Sequence, residues 1–474
     1  MIKIHRALAV AAMASTLFAG AAGAEPKPPL PPQADQDLAR QFLTRMVETD
    51  STHAHGSTVL AEWIAGELRQ AGFPAGDVHV LAPPDHPTKG NVVVRLRGKG
   101  LARPVLYIGH LDVVEARPED WTVNPFKLTE KDGYFYGRGV LDMKGDDAAV
   151  LESLVRLKRE GFQPDRDIIV AFTADEEAEG DANGVDWLLR NHRDLVDSAL
   201  ALNPDAGGGH VDKGGQRSPY GIQTSEKLYV TFLLETTNRG GHSSQPRPDN
   251  AIYELARDLV KLSNYRFPVH LTDTTRLFFE KTAASETGRT RADMLAVSRT
   301  PPDLTAAERL SAVVRNAALL RTTCVATIVK AGEAENALPQ RAQATLQCRL
   351  IPGETVEETQ KRITHAIADP AAKLTLTAPV VPSGESRLTP ALTSLYEKTI
   401  HSMWPGVVVI PTMDTGASDS VYTRAAGIPS YGASAIYADS YANGIHGRDE
   451  RAHIVNFYEG VELTYRLMKA ISAK

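Results

Sequence analysis

The first half of the chain alternates between segments of helical periodicity and short apolar runs, and this alternation most constrains the fold. The helical segments span 36–48, 58–71, 144–160 and 184–191, and the apolar runs span 91–96, 105–109, 167–173 and 198–203. Parallel strands need a crossover connection, usually a helix, and helices on both faces bury the strands. The sequence therefore predicts an α/β fold with a mixed, largely parallel sheet covered by helices.

The pattern changes near residue 221. Residues 222–384 follow the order strand, helix, two strands and helix, which is typical of a small α+β unit with one open sheet. A polar stretch of helical character near 271–316 is expected as an insertion within it. The α/β pattern returns at 385–474. We therefore predict one domain, formed by 36–221 and 385–474, that a smaller domain interrupts.

Charge argues against nucleic acid as a partner. The 474 residues include 52 Lys and Arg against 58 Asp and Glu, giving a net charge of −6. The chain also lacks a block of like charges, which a nucleic-acid-binding surface usually has.

Residues 1–24 have the pattern of a secretory signal peptide. Lys3 and Arg6 are basic, 7–20 are apolar, and 22–24 read Ala-Gly-Ala, a cleavage pattern. A short membrane anchor is the alternative, but the apolar stretch is too short and too rich in alanine. No later run of about 18 apolar residues occurs, so we expect no membrane span after signal removal. We expect an exported protein, periplasmic or secreted.

The two cysteines, Cys324 and Cys348, lie in the strand-like runs 323–330 and 342–350. An antiparallel pairing with Val329 opposite Gln343 would place Cys324 opposite Cys348. An oxidising compartment would allow these thiols to form a cross-strand disulfide. Two free buried thiols are the alternative. Two cysteines in this arrangement do not supply a cysteine-based catalyst or a Cys-rich zinc site.

Polar clusters follow the predicted strands, at 109–112, 137–145, 175–177 and 203–208. Each cluster alone is more often a solvated turn, but ligands collect where parallel strands end. Imidazoles and carboxylates are zinc ligands, and a shared carboxylate allows two zinc ions to sit close together. Asp112 is suited to accept the ring N–H of His110. Of Glu176 and Glu177, one would bind metal while the other takes a proton, and a late histidine must complete the set.

These motifs resemble the aminoacylase, carboxypeptidase G and succinyl-diaminopimelate desuccinylase family of dinuclear zinc hydrolases. The resemblance continues in order through nearly the whole mature chain, in the later motifs at 240–243, 335–339, Arg349 with 352–353, 416–419 and 445–447. It implies a catalytic domain, interrupted by a lid that also makes a homodimer. It also implies two zinc ions per chain, with Co²⁺ or Mn²⁺ as alternative metals.

The resemblance implies a role for each matching residue. The implied metal ligands are His110 and Asp205 for one ion, Glu177 and His446 for the other, and Asp142 as the bridge. Glu176 matches the general base that activates a metal-bridging water, and Asp112 supports the site. His242 matches a histidine that polarises the scissile carbonyl, reached by lid closure or supplied by a partner chain. The residues implied to hold the substrate's free carboxylate are Asn336, Arg349, Gly416 and Ala417.

Three positions depart from the family pattern. Gln347 stands where an aspartate often precedes the arginine, so Arg349 lacks the acidic neighbour that the family pattern supplies. Ala417 removes a hydroxyl from the carboxylate pocket. Asp205 stands where many acylases and carboxypeptidases carry a glutamate, and aspartate is commoner in the dipeptidase and aminopeptidase branches.

The expected activity is hydrolysis of a small peptide with a free carboxylate, as by a dipeptidase or carboxypeptidase. An N-acyl-amino-acid amidohydrolase is the alternative within the family. A non-catalytic binding module on a peptidase fold is the alternative of another class, although such a module would be expected to have lost ligands or the base. The sequence lacks the Gly-x-Ser-x-Gly elbow of a serine hydrolase and the His-Glu-x-x-His motif of another metalloprotease class.

Overall fold

The computed structural model describes residues 27–178 and 182–473, and the predicted signal peptide lies outside them. The strands are β1 (Val78–Leu81), β2 (Asn91–Leu96), β3 (Val105–His110), β4 (Thr129–Lys131), β5 (Tyr134–Tyr136), β6 (Ile168–Thr173), β7 (Leu200–Asn203), β8 (His210–Val211), β9 (Tyr220–Glu226), β10 (Leu228–Thr237), β11 (Gly241–His242), β12 (Thr323–Ala331), β13 (Ala337–Leu338), β14 (Arg341–Leu350), β15 (Lys373–Leu376), β16 (Val409–Asp414), β17 (Ser430–Gly432), β18 (Ala438–Asp439) and β19 (Arg451–His453).

The helices are α1 (Gln33–Glu48), α2 (Thr58–Gln70), α3 (Lys144–Arg159), α4 (Gly184–Asn191), α5 (Arg193–Val196), α6 (Ala251–Asn264), α7 (Asp273–Thr282), α8 (Gly288–Val297), α9 (Leu304–Leu310), α10 (Val314–Leu320), α11 (Val356–Ile367), α12 (Pro390–Met403), α13 (Ser420–Ala425) and α14 (Ile454–Ser472). Across the described residues, no helix combines the length and apolar character that a bilayer crossing needs.

The larger sheet has eight strands in the order β1-β2-β6-β3-β7-β17-β9-β16. Its centre is parallel, from β6 through β3 and β7 to β17, while β1, β2 and β9 run antiparallel to a neighbour. Strands β3 and β6 are buried at every position, because one apolar core includes α1, α2, α3 and α14 and another includes α4. The prediction of a mixed α/β sheet covered by helices is confirmed.

The smaller sheet is antiparallel, in the order β12-β14-β10-β15. Helices α6 and α11 bury one of its faces against alternate residues of β10 and β14. Strand β12 forms an edge, and its last seven residues are exposed. The chain passes from β9 into β10 at Lys227 and returns to the larger unit after β15.

Cys324 and Cys348 form a disulfide that joins β12 to β14, which confirms the predicted pairing. The two residues face each other in the sheet. The expected pairing of Val329 with Gln343 is wrong by one residue. An irregularity between Ala326 and Ile328 shifts the register, so that Val329 faces Ala344. Such a bulge inserts an unpaired residue in one strand, and strand composition gives no sign of it.

The helical insertion packs against the larger sheet, although it interrupts the smaller unit in sequence. Phe278, Phe279 and Leu320 share an apolar cluster with Ile410 and Met413 of β16. The Nζ of Lys281 also donates a hydrogen bond to the carbonyl of Val409, at 3.1 Å. The insertion therefore covers the edge of the larger sheet and leaves the exposed residues of β12 uncovered.

Candidate functional site

His110 ends β3 and is buried at the carboxyl edge of the parallel strands. Its Nδ1 donates to the main-chain carbonyl of Asp112 at 3.0 Å, so that Nε2 is the ring nitrogen that faces the neighbouring carboxylates. Nε2 lies 3.2 Å from Asp142 Oδ1 and 3.6 Å from Asp205 Oδ1 but makes no well-directed hydrogen bond. A buried nitrogen without a hydrogen-bond partner, surrounded by carboxylates, fits a metal ligand.

Asp112 supports this site through two different atoms. Its carbonyl is the acceptor for His110, while its carboxylate lies 3.9 Å from the ring. The carboxylate accepts the main-chain N–H groups of Glu176 at 3.2 Å and Glu177 at 3.0 Å. Asp112 therefore orients the imidazole with its backbone and the two glutamates with its side chain.

Asp142 lies between two histidines. Its Oδ1 faces His110, and its Oδ2 lies 2.9 Å from Nε2 of His446. The same nitrogen of His446 lies 2.9 Å from Oε1 of Glu177. Each oxygen of Asp142 thus faces a different imidazole, which is the arrangement that a bridging carboxylate requires.

In the part of the chain that the structure describes, three overlapping groups of side chains have donor atoms within 4.8 Å of one another. They are His110, Asp142 and Asp205; His110, Glu176 and Glu177; and Asp142, Glu177 and His446. Mixed imidazole and carboxylate donors suit zinc and other divalent transition metals. The residues present therefore fit two metal ions.

The pKa shifts show how strongly this cluster favours positive charge. Burial lowers the pKa of His110, but Asp142 and Asp205 outweigh burial and raise it well above its usual range. Hydrogen bonds to Asp142 and then Glu177 raise the pKa of His446 to about 10. The carboxylates thus stabilise the protonated, positively charged forms of His110 and His446. The same negative charges would stabilise a bound metal cation.

Glu176 is the acid of this cluster that is best suited to hold a proton. Burial, and then repulsion from Asp205, raises its pKa well above that of an ordinary glutamate. Burial also raises the pKa of Glu177, although the hydrogen bond to His446 opposes the shift. A general base needs a pKa close to the working pH, and an ordinary glutamate lies too low.

A cleft of about 320 Å³ lies over these side chains. Besides the metal-binding cluster it is lined by Asp414 and the loop 415–418, which includes Gly416 and Ala417. The structure therefore brings both of these predicted substrate-binding positions beside the predicted metal ligands.

His242, Asn336 and Arg349 belong to the smaller unit and do not line this cleft. His242 is exposed on β11, which pairs with β13, and the N–H of Ser243 donates to the carbonyl of Asn336 at 2.9 Å. Arg349 lies on β14 with its guanidinium 4.4 Å from the ring centre of Tyr229. Its Nη1 is buried without a hydrogen-bond partner, and burial lowers the pKa of Arg349.

Sequence reasoning missed two residues that shape the turn carrying Glu176. Asp175 is buried in the left-handed region, at φ 65°, and forms an ion pair with the buried Lys89. The exposed His53 lies with its Nδ1 2.9 Å from Nζ of Lys89. Asp175 belongs to the recognised cluster 175–177, but Lys89 is 86 residues away and carries no sequence signal.

Residues 106–470 match the model of peptidase family M20/M25/M40. The chain is 30% identical to the probable carboxypeptidase S-like 2 of Dictyostelium discoideum over 380 residues, 77% of this chain and 71% of that protein. It is 31% identical to the N-fatty-acyl-amino acid synthase/hydrolase PM20D1 of Xenopus tropicalis over 322 residues, 67% of this chain and 62% of that protein.

The fold is similar to that of the M20 family metallo-carboxypeptidase Sso-CP2 from Sulfolobus solfataricus. The TM-score is 0.67, with 17% sequence identity, covering 92% of this chain and 99% of that one. At this identity the likeness concerns the fold.

Proposed function

The chain belongs to peptidase family M20/M25/M40, and we propose that it is a zinc-dependent hydrolase of the amide bond in small peptides that carry a free carboxylate. This is the substrate class of a dipeptidase or carboxypeptidase. The observation that carries the proposal is the position of Asp142, whose two oxygens face His110 and His446 beside the half-buried Glu176.

Two zinc ions would be held by five side chains. His110 and Asp205 would bind one ion, Glu177 and His446 the other, and Asp142 both. Co²⁺ and Mn²⁺ are alternative occupants, since imidazole and carboxylate ligands also bind them. When bound, such ions act as Lewis acids and lower the pKa of a bound water to about 7.

Glu176 would supply the proton transfers. Its carboxylate would accept a proton from the attacking water and then pass that proton to the leaving amine nitrogen. Asp112 would hold the main chain of Glu176 and Glu177 in place through its two accepted hydrogen bonds.

The residues of the smaller unit would hold and polarise the substrate. Asn336, Arg349 and the backbone of Gly416 and Ala417 would bind its carboxylate, and His242 would stabilise negative charge on the scissile carbonyl oxygen. The free Nη1 of Arg349 supports a role in anion binding. Because His242, Asn336 and Arg349 lie outside the cleft that Gly416 and Ala417 line, these three side chains would reach it by lid closure or from a partner chain.

A homodimer would form through the smaller unit. Strand β12 supports this proposal, because an unpaired edge with exposed Val325, Ile328 and Val329 can pair with another strand. A mixed dimer of a Glu176→Gln chain and a His242→Ala chain tests whether His242 acts across the interface. Its activity should approach half that of the wild-type dimer, whereas no recovery in a verified mixed dimer would favour action within one chain.

Export is part of the proposal. It rests on the signal-peptide pattern at 1–24 and on the Cys324–Cys348 disulfide, which is typical of oxidising compartments. Fractionation of a native host should find the protein outside the cytoplasm with residues 1–24 removed, and an uncleaved cytoplasmic protein would refute export.

An N-acyl-amino-acid amidohydrolase is the second candidate, favoured by the 31% identity to PM20D1. Such a substrate has the same carboxylate and amide bond but an acyl chain in place of an amino-terminal residue. A matched panel of dipeptides and N-acyl amino acids with a shared C-terminal residue separates the two candidates. Higher kcat/KM for dipeptides supports the first candidate, and higher kcat/KM for N-acyl substrates supports the second.

Glu176→Gln tests the proposed role of Glu176 as the general base. The amide keeps the shape of the side chain but cannot accept the proton, so kcat should fall about 10²–10⁴-fold with both metal ions bound. Loss of metal along with activity would make Glu176 a ligand instead. A metal-loaded wild type that binds peptides but turns over no substrate would favour the binding module.

A further inference from the structure

Glu450 is a fully buried carboxylate four residues after His446. Its Oε2 accepts hydrogen bonds from Nη1 of Arg138 at 2.7 Å and from the N–H of Gly139 at 3.0 Å. Its Oε1 accepts from the N–H groups of Leu141 at 2.9 Å and Asp142 at 3.1 Å. One carboxylate thus binds the segment 138–142 through one side-chain donor and three main-chain donors. This segment ends at Asp142, the proposed bridging ligand.

Further contacts connect the same two segments. Nη2 of Arg138 donates to the carbonyl of Gly447 at 2.8 Å, directly after His446. The N–H of Gly137 donates to the carbonyl of Glu450 at 3.1 Å. Arg138 and Glu450 therefore bind the loop that carries His446 to the loop that carries Asp142.

The loop of His446 needs such support because its backbone is strained. His446 and Asp449 both lie in the left-handed region, at φ 55° and 53°, where non-glycine residues are uncommon. The side chain of His446 is 54% exposed, so packing does little to hold its ring. The position of Nε2 therefore depends on the course of the backbone.

We propose that Glu450 is a positioning residue that brings Asp142 and His446 to the separation needed to bind one metal ion. This inference rests on the proposed metal site and assigns the residue that assembles it. Glu450 touches no ligand side chain; it acts through the N–H of Asp142 and through the loop that begins at His446. Without it, we expect the two donors to diverge and the ion held by Glu177 and His446 to bind more weakly.

The test measures metal binding by the full-length mature protein. Glu450→Gln keeps the size of the side chain but replaces one carboxylate oxygen by an NH₂ group. This group cannot accept the hydrogen bonds that the oxygen accepted, so those bonds to the segment 138–142 are lost. Metal-free protein is titrated with Zn²⁺ against a chromophoric chelator, and native mass spectrometry counts the ions. Residues that orient metal ligands typically contribute 10- to 100-fold in affinity. We expect the ion held by Glu177 and His446 to bind 10- to 100-fold more weakly, and the other ion, which shares only Asp142, to be weakened less.

Glu459→Gln is the matched control. Glu459 is also buried and also paired with an arginine, Arg217, but its other partner is Trp404 and it contacts neither loop. This variant should lose thermal stability while binding both ions normally. Equal weakening of metal binding in Glu459→Gln would attribute the effect to general destabilisation and overturn the proposal.

Arg138→Lys provides a second variant should Glu450→Gln fail to fold. It keeps the charge but loses the planar fork that reaches both Glu450 and Gly447. Selective weakening of one ion supports the proposal, and wild-type affinity for both ions in either folded variant overturns it. A wild-type protein that binds no divalent cation would refute the proposed function itself, whereas two ions bound with wild-type affinity by the variant would refute only the role of Glu450.

Discussion

Replacing Cys324 and Cys348 together by alanine removes the disulfide between β12 and β14. The two residues are 24 positions apart, so the disulfide closes a loop of about 25 residues. The loop-entropy relation gives about 3.5 kcal/mol of stabilisation for such a loop at 25 °C. Since 1.4 kcal/mol corresponds to a tenfold change in an equilibrium constant, opening of the smaller sheet should become about 300-fold more frequent.

Hydrogen exchange followed by mass spectrometry measures this effect locally. Peptides from β14, whose amides are shared between two neighbouring strands, should exchange on the order of 300-fold faster in the double variant. Peptides from β3 and β6, in the larger sheet, should keep their wild-type rates. This local readout assigns the change to the smaller sheet, which a single unfolding curve for the whole chain does not.

Val230→Ala is the matched control for lost packing. Val230 is buried and pairs with Cys348 from the other side of β14. Truncating Val230 removes apolar volume but leaves the disulfide intact. The increase in the exchange rate of β14 should therefore be smaller than in the cysteine double variant. Arg349 follows Cys348 and pairs with Thr323 on β12. Because Arg349 is proposed to bind the carboxylate of the substrate, the double variant should also raise KM more than it lowers kcat. Wild-type exchange rates in β14 of the double variant would refute the entropic argument.

Three further changes test other parts of the structure. His446→Ala should lose one of two metal ions by native mass spectrometry, and full occupancy with normal activity would contradict its assignment. Arg424→Met should lower the free energy of unfolding in denaturant by about 3–5 kcal/mol, because Glu226, 2.7 Å away and 1% exposed, would lose its ion-pair partner. A loss under about 1 kcal/mol would count against a tightly coupled ion pair. Burial lowers the pKa of Lys227 to about 7, so between pH 7 and 10.5 the unfolded chain binds more protons and stability should rise with pH. Lys227→Met should remove this rise, measured as Tm against pH, and an unchanged slope would assign it to another group.

The sequence by itself determined the α/β class and the edge of the sheet where the candidate site lies. Strand and helix periodicity identify parallel strands, and parallel strands that end together bring residues such as His110, Glu176 and Asp205 close without further information. The disulfide was predictable for a related reason. In an antiparallel pair of strands, one pair of facing residues determines which residues face each other along the rest of the strands. Cys324 and Cys348 face each other as predicted because their pair lies before the bulge in β12, where the register is not shifted.

Tertiary structure alone decided how distant segments support these residues. Glu450 reaches Asp142 across 308 positions, and Lys89 reaches Asp175 across 86. Periodicity describes which face of an element is buried but says nothing about which loop packs on it. For the same reason the helical insertion, expected with the smaller unit, was found on β16. Left-handed backbone at His446 depends on such long-range contacts, because local preference alone disfavours it.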